Sequence, residues 1–400
     1  MAQSSKIKAI SSIHIENQKD SVKLNKEITS FSHHLALEYR PAWVIPSSMY
    51  NNELYINPFN KFEQSGHLKY AFSLPKASLG NLVFPNTQQG IGFSIYDFGN
   101  AQEIGTPIVA YLFQRSQITI VSPRFSLDYE WNFGISTGWK PFDLDNNPNN
   151  VTVGSKVNAF ISLGTSLNWK LANRISLFGG MDFTHFSNGN TKYPNAGVNL
   201  LGGKIGVVYD VSKTEIQSQD DAVLQRPKFT RHVSYDLVAF GSWRRKGVDF
   251  LDQHVASPHQ YPVVGAYFAP MFNWGYRLRT GFSVDAIYDG SANVYTEDYI
   301  VGTEQQFFKP EWNQQVALGL SARVDYVMPL FTINLGIGTQ AFHKGKDLKG
   351  TYQALSLKIR ATKNSFFNIG YSFKDFHEPN YLMFGIGYLF NNKTPQLLIN

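Results

Sequence analysis

From Phe125 to Trp139 the chain alternates. Phe125, Leu127, Tyr129, Trp131, Phe133, Ile135 and Trp139 fall on one side, and Ser126, Asp128, Glu130, Asn132 and Ser136 on the other. A strand carries i, i+2 and i+4 on one face, so this segment reads as a strand with an apolar and a polar side. The same period of two returns in Val157, Ala159, Ile161, Leu163, Leu167 and Trp169 against Asn158, Ser162, Ser166 and Asn168. It appears again in Val316, Leu318, Leu320, Ala322, Val324 and Tyr326, and in Leu355, Leu357 and Ile359. Strand segments are expected near 33–43, 67–75, 89–98, 106–121, 124–139, 155–171, 174–187, 196–209, 231–244, 261–271, 275–288, 313–327, 329–342, 351–361, 365–375 and 380–390. Bacterial barrels usually close with an even number of strands, and about 14 (roughly 12–16) are expected here.

No run of 18 or more apolar residues occurs, so a membrane-spanning helix is excluded. Lipid still admits a closed barrel, in which every backbone group is paired between strands. A soluble antiparallel sandwich also alternates. Aromatic residues at the strand ends favour the membrane, because interfaces collect them. The fold class expected is all-β: a transmembrane antiparallel β-barrel of the outer-membrane type.

Composition supports that class. Aromatic residues make up 15% of the chain, Gly is frequent at 32, and charged residues are only 16%. The net charge of +6 comes from Lys and Arg that form no dense basic block, which suits an anionic lipopolysaccharide surface and gives no nucleic-acid patch. With no cysteine, disulfides and a thiol nucleophile are excluded. The N-terminus lacks a charged-then-apolar export signal, so a signal is expected to precede a mature start near Ala2-Gln3. Residues 1–32 read as a polar tail, 33–210 as a first barrel half, 211–230 as a polar connection and 231–400 as a second half. The halves are expected to close one barrel, with two small barrels as the alternative.

One cluster could carry chemistry: Phe183-Thr184-His185-Phe186-Ser187-Asn188-Gly189-Asn190, followed by Pro194-Asn195-Ala196-Gly197-Val198-Asn199. His185 and Ser187 share the face of Phe183, Met181 and Leu177, the apolar series, and so point toward lipid near a strand end. A polar pair is tolerable at the interface, where a lipid ester lies. A Ser hydroxyl needs a neighbouring base to become a nucleophile, and imidazole can serve. Asn199 shares the outward face of the next strand, and a hairpin would bring its oxygen to the imidazole.

The stretch from His185 to Asn199 resembles the signature of outer-membrane lipid A 3-O-deacylases, also called acyloxyacyl hydrolases, and the strands from about 66 to 187 have that family's look. The resemblance implies a barrel enzyme that removes the ester-linked acyl chain at the 3-position of lipid A in the outer leaflet. It implies Ser187 as nucleophile, His185 as base, and an oxyanion hole from the Asn188 side chain with backbone N–H groups near Gly189. No cofactor and no metal is implied, and the partner is lipopolysaccharide in the membrane. Where the family carries an acidic third member, this chain has Asn199, which can orient the imidazole but brings no charge. Residues 231–400 lie beyond the family's small barrel.

Other motifs carry less. His33-His34 would face opposite sides of a strand, His254 and His259 have no acidic partner at ligand spacing, and Asp220-Asp221 is too short for a Ca²⁺ loop. The alternative function is a non-enzymatic barrel, either a diffusion channel or a scaffold with a degenerate site.

Overall fold

The computed structural model describes residues 31–45, 61–76, 78–150, 152–212, 227–250, 253–297, 303–376 and 378–394. The expected polar tail and most of the 211–230 connection lie outside them.

All sixteen expected segments are strands. The first eight are β1 (Ser32–Ile45), β2 (Phe62–Ser73), β3 (Gln88–Asp97), β4 (Gly105–Ser122), β5 (Phe125–Trp139), β6 (Val157–Lys170), β7 (Ile175–Ser187) and β8 (Val198–Asp210). Then come β9 (His232–Arg244), a short hairpin of β10 (Gly247–Phe250) and β11 (Gln253–Ala256), β12 (Tyr261–Asn273) and β13 (Leu278–Asp289). The short pair β14 (Tyr295–Thr296) and β15 (Phe307–Phe308) precedes β16 (Val316–Val327), β17 (Phe331–His343), β18 (Thr351–Arg360), β19 (Ser365–Lys374) and β20 (Glu378–Phe390).

The strands close two barrels, each of eight, where the alternation alone suggested one of about 14. The reason lies in the edges. β1 pairs with β2 on one side and with β8 on the other, with Leu35 opposite Tyr209 and Trp43 opposite Leu201. The second barrel closes in the same way where β20 meets β9, with Gly385 opposite Phe240. A sheet closed on itself has no free edge for a ninth strand.

Each barrel turns its apolar series outward, except that Trp139, expected on the outward face of β5, turns into the lumen after the positive φ of Gly138. Leu37, Met181, Ile205, Phe282, Leu320 and Ile386 are exposed for lipid, while Glu38, Asp182, Lys204, Ser283 and Ser321 beside them are buried in the lumen. Rings gather at the strand ends, among them Trp43 with Phe62 and Phe125 stacked on Trp169. Loops 98–104, 140–156 and 188–197 lie at one end of the first barrel, and the turns 123–124 and 171–174 with the helix-bearing connection 74–87 at the other. In outer-membrane barrels the long loops are extracellular, so β7 ends at the outer leaflet.

An eight-stranded barrel is just wide enough for side chains to fill it. In the first lumen Arg40 meets Glu130 at 2.9 Å and Asp182 at 3.2 Å, and Lys69 meets Glu38 at 2.6 Å and Glu130 at 2.7 Å. Above these charges sits a layer of rings: Tyr96, Tyr111, Trp139, Phe160 and Phe186. The second lumen is crossed by Lys358, bound to Asp236 at 2.8 Å and to Asp325 at 3.0 Å, with Arg279 on the same two carboxylates. Buried ions of this kind hold only because each has a partner.

The barrels touch side by side. Near the short-turn end, Trp131 and Phe133 of β5 and a short helix (Leu79–Val83) pack with Ile333, Leu355, Leu357 and Ile359 of β17 and β18. There Tyr129 and Tyr326 share a hydroxyl hydrogen bond of 3.1 Å.

Candidate active site

The site begins with strand register. β7 and β8 form a hairpin in which His185 stands directly opposite Asn199. That pairing lets the two outward side chains meet, and His185 Nδ1 lies 2.7 Å from Asn199 Oδ1. With Nδ1–H donating to the amide oxygen, Nε2 is the nitrogen left to accept a proton. Ser187, two residues on, projects from the same face and stands opposite Ala159 of β6. Both His185 and Ser187 are half-buried. No hydrogen bond joins the Ser187 hydroxyl to the ring in this structure. Such bonds often tighten only when substrate is bound.

Between them, Phe186 points the other way. Its ring is 1% exposed and lies 5.1 Å from the rings of both Tyr96 and Trp139 and 5.3 Å from Phe160. Edge-on aromatic packing of this kind anchors the end of β7 in the lumen, which holds the neighbouring His and Ser outward. The alternation placed Phe186 inward but gave no sign of its role as an anchor.

The loop 188–197 is tied to itself. Asn188 N–H donates to Asn195 Oδ1 at 3.0 Å, Asn188 Nδ2 to the Lys192 carbonyl at 2.8 Å, and Asn195 Nδ2 to Asn190 Oδ1 at 3.0 Å. Asn188, expected as an oxyanion donor, therefore has its backbone N–H and its amide nitrogen engaged inside the loop, as Asn and Gly turns commonly arrange. The Gly189 N–H is not engaged by any of these bonds. At Gly197, φ is +73° and an added Cβ would lie 3.0 Å from His185 Cε1. Glycine there lets the backbone pass beside the imidazole. Among the described residues no group of three or more His, Cys, Asp or Glu side chains converges as metal ligands would.

The second barrel carries a His-x-Ser at His232 and Ser234 on β9, but both are buried on the lumen side, so among the described residues the outward pair is not repeated. In its strand order β19 is the seventh, as β7 is in the first, and its outward upper end carries Tyr371 and Phe373.

Two family profiles match the chain: lipid A 3-O-deacylase over residues 79–208, and the C-terminal domain of acyloxyacyl hydrolase over residues 233–392. Among curated proteins none matches significantly. Among solved structures, Neisserial surface protein A is similar at 10% identity and a TM-score of 0.29, covering 45% of this chain and 96% of that one. The Pseudomonas putida toluene transporter is 10% identical with a TM-score of 0.16, covering 90% of this chain and 87% of that one. An outer membrane protein of Acinetobacter baumannii is 9% identical with a TM-score of 0.16, covering 90% and 98%.

Proposed function

Because this chain belongs to the outer-membrane lipid A 3-O-deacylase and acyloxyacyl hydrolase family, we propose that it removes an ester-linked acyl chain from lipid A by serine catalysis on the outer face of its first barrel. The observation that carries the reading is the 2.7 Å bond between His185 and Asn199 on the face that also presents Ser187, at the outer-leaflet end of β7. A lipid in the leaflet reaches that face without entering the lumen.

In this mechanism His185 Nε2 takes the proton of Ser187 Oγ as the oxygen attacks the ester carbonyl. The tetrahedral intermediate collapses, its C–O bond to the sugar breaks, and the proton on Nε2 passes to the departing sugar hydroxyl. Water, deprotonated by the same imidazole, then releases the fatty acid and restores Ser187. Asn199 holds the ring so that Nε2 faces the serine, but it brings no negative charge to the imidazolium. The Gly189 N–H is the oxyanion donor this reading favours, since Asn188 braces the loop.

The test is mass spectrometry of lipid A from cells expressing the wild type, Ser187→Ala or His185→Ala at matched levels of folded barrel. The expected result is loss of one hydroxyacyl mass with the wild type alone. Unchanged lipid A in all three, with the protein folded in the membrane, would refute the proposal.

A further inference from the structure

The first barrel closes without help from the second, yet the second touches it where the chemistry is placed. The backbone N–H of Arg245, just past β9, donates to the Asn190 carbonyl at 2.9 Å. Asn190 Nδ2 lies 3.5 Å from the Asn380 carbonyl on β20. Leu382, two residues along β20, covers Gly189, where a methyl group would overlap its side chain. The alternation of β20 turns Tyr381 and Met383 into the lumen and Leu382 outward. Further down the same face, Phe384 is 46% and Ile386 66% exposed to lipid, whereas Leu382 is half-buried.

The backbone turns sharply at this point, with φ of +64° at Gly189 and +63° at Asn190. Glycine takes this conformation freely and asparagine tolerates it, so where the turn sits is set by what it packs against. The loop's own bonds hold one side of it, and β20 with Arg245 holds the other.

We infer that the second barrel is a working part of the hydrolase: Leu382, Asn380 and Arg245 are positioning residues that fix the loop after Ser187, and turnover on the first barrel depends on them. This rests on the serine mechanism proposed above. It gives residues 231–400 a purpose that needs no second His-Ser pair. Leu382 acts through Gly189 and touches no reacting atom, so its loss should move the catalytic step more than lipid binding.

The experiment compares wild type, Ser187→Ala, Leu382→Ala, Leu382→Met and Phe384→Ala, each purified as the full chain in detergent and checked for folding by heat-modifiable gel mobility. The substrate is lipid A in mixed micelles. A shift of about 1 Å in a positioned group can cost up to about a hundredfold, so Leu382→Ala is expected to lower kcat by roughly ten- to a hundredfold with KM little changed. Leu382→Met, of similar volume, should restore most of the rate, and Phe384→Ala should match wild type. An active wild type, an inactive Ser187→Ala and a folded Leu382→Ala with wild-type kcat would overturn the positioning role alone. A Leu382→Ala barrel that fails to fold passes the decision to Leu382→Val, read for kcat by the same criterion. An inactive, folded wild type would overturn the hydrolase reading and this inference with it.

Discussion

Asn199 is the most informative residue to change, because its contact with His185 is short, local and open to a graded test. Asn199→Leu keeps the branched outline and removes the acceptor 2.7 Å from Nδ1. A hydrogen bond to a group that becomes charged is worth about 1.5–3 kcal/mol, and His185 becomes an imidazolium as Ser187 attacks. Since about 1.4 kcal/mol is a tenfold change in rate, Asn199→Leu should lower kcat roughly ten- to a hundredfold. Asn199→Asp keeps the length and adds charge, and a charge-assisted bond is about twice as strong as a neutral one. That variant should turn over up to about tenfold faster than wild type, the site being half-buried rather than deep in hydrocarbon, where a carboxylate would be costly. Initial rates of fatty-acid release from lipid A micelles, with folding followed on the same samples, give the comparison. An Asn199→Leu enzyme at wild-type rate would refute the claim that this amide orients the base. An Asn199→Asp enzyme slower than wild type would refute the claim that a missing charge limits it.

Three further outcomes follow from the geometry. Gly197→Ala places a Cβ 3.0 Å from His185 Cε1, so the imidazole must shift and kcat should fall about tenfold while heat-modifiable mobility persists; full activity would show that the ring has room to move. Arg40→Leu removes the guanidinium that Glu38, Glu130 and Asp182 share, and the urea midpoint of unfolding should drop by the equivalent of about 3–5 kcal/mol, an unchanged midpoint counting against the charge network as a support. With both lumens filled by paired charges, the protein reconstituted in a planar bilayer should show no steady ion conductance above the lipid background, and reproducible open-channel steps would revive the diffusion-channel reading.

How much of this was legible in the residues depends on distance along the chain. The alternation reports only which side of a strand a residue faces, and it located all sixteen barrel strands and turned His185, Ser187 and Asn199 to the lipid side. The bond between His185 and Asn199 was also within reach, because a hairpin joins neighbouring strands and both residues fall on its outward face. That Asn188 folds back on the Lys192 carbonyl was not legible, because a free amide and an engaged one look alike in sequence.

Closure was decided elsewhere. Whether β8 returns to β1 or hands on to β9 depends on partners more than 150 residues apart, and an alternating pattern is the same in one barrel of sixteen strands or two of eight. The residues alone determined that this chain meets lipid with strands and carries a serine and a histidine on the membrane side. Only the tertiary structure decided that the first barrel closes by itself, that Phe186 locks the end of β7, and that Leu382 of a second barrel rests on the loop beside Ser187. Those contacts depend on where separate surfaces meet in space, which a local period of two does not encode.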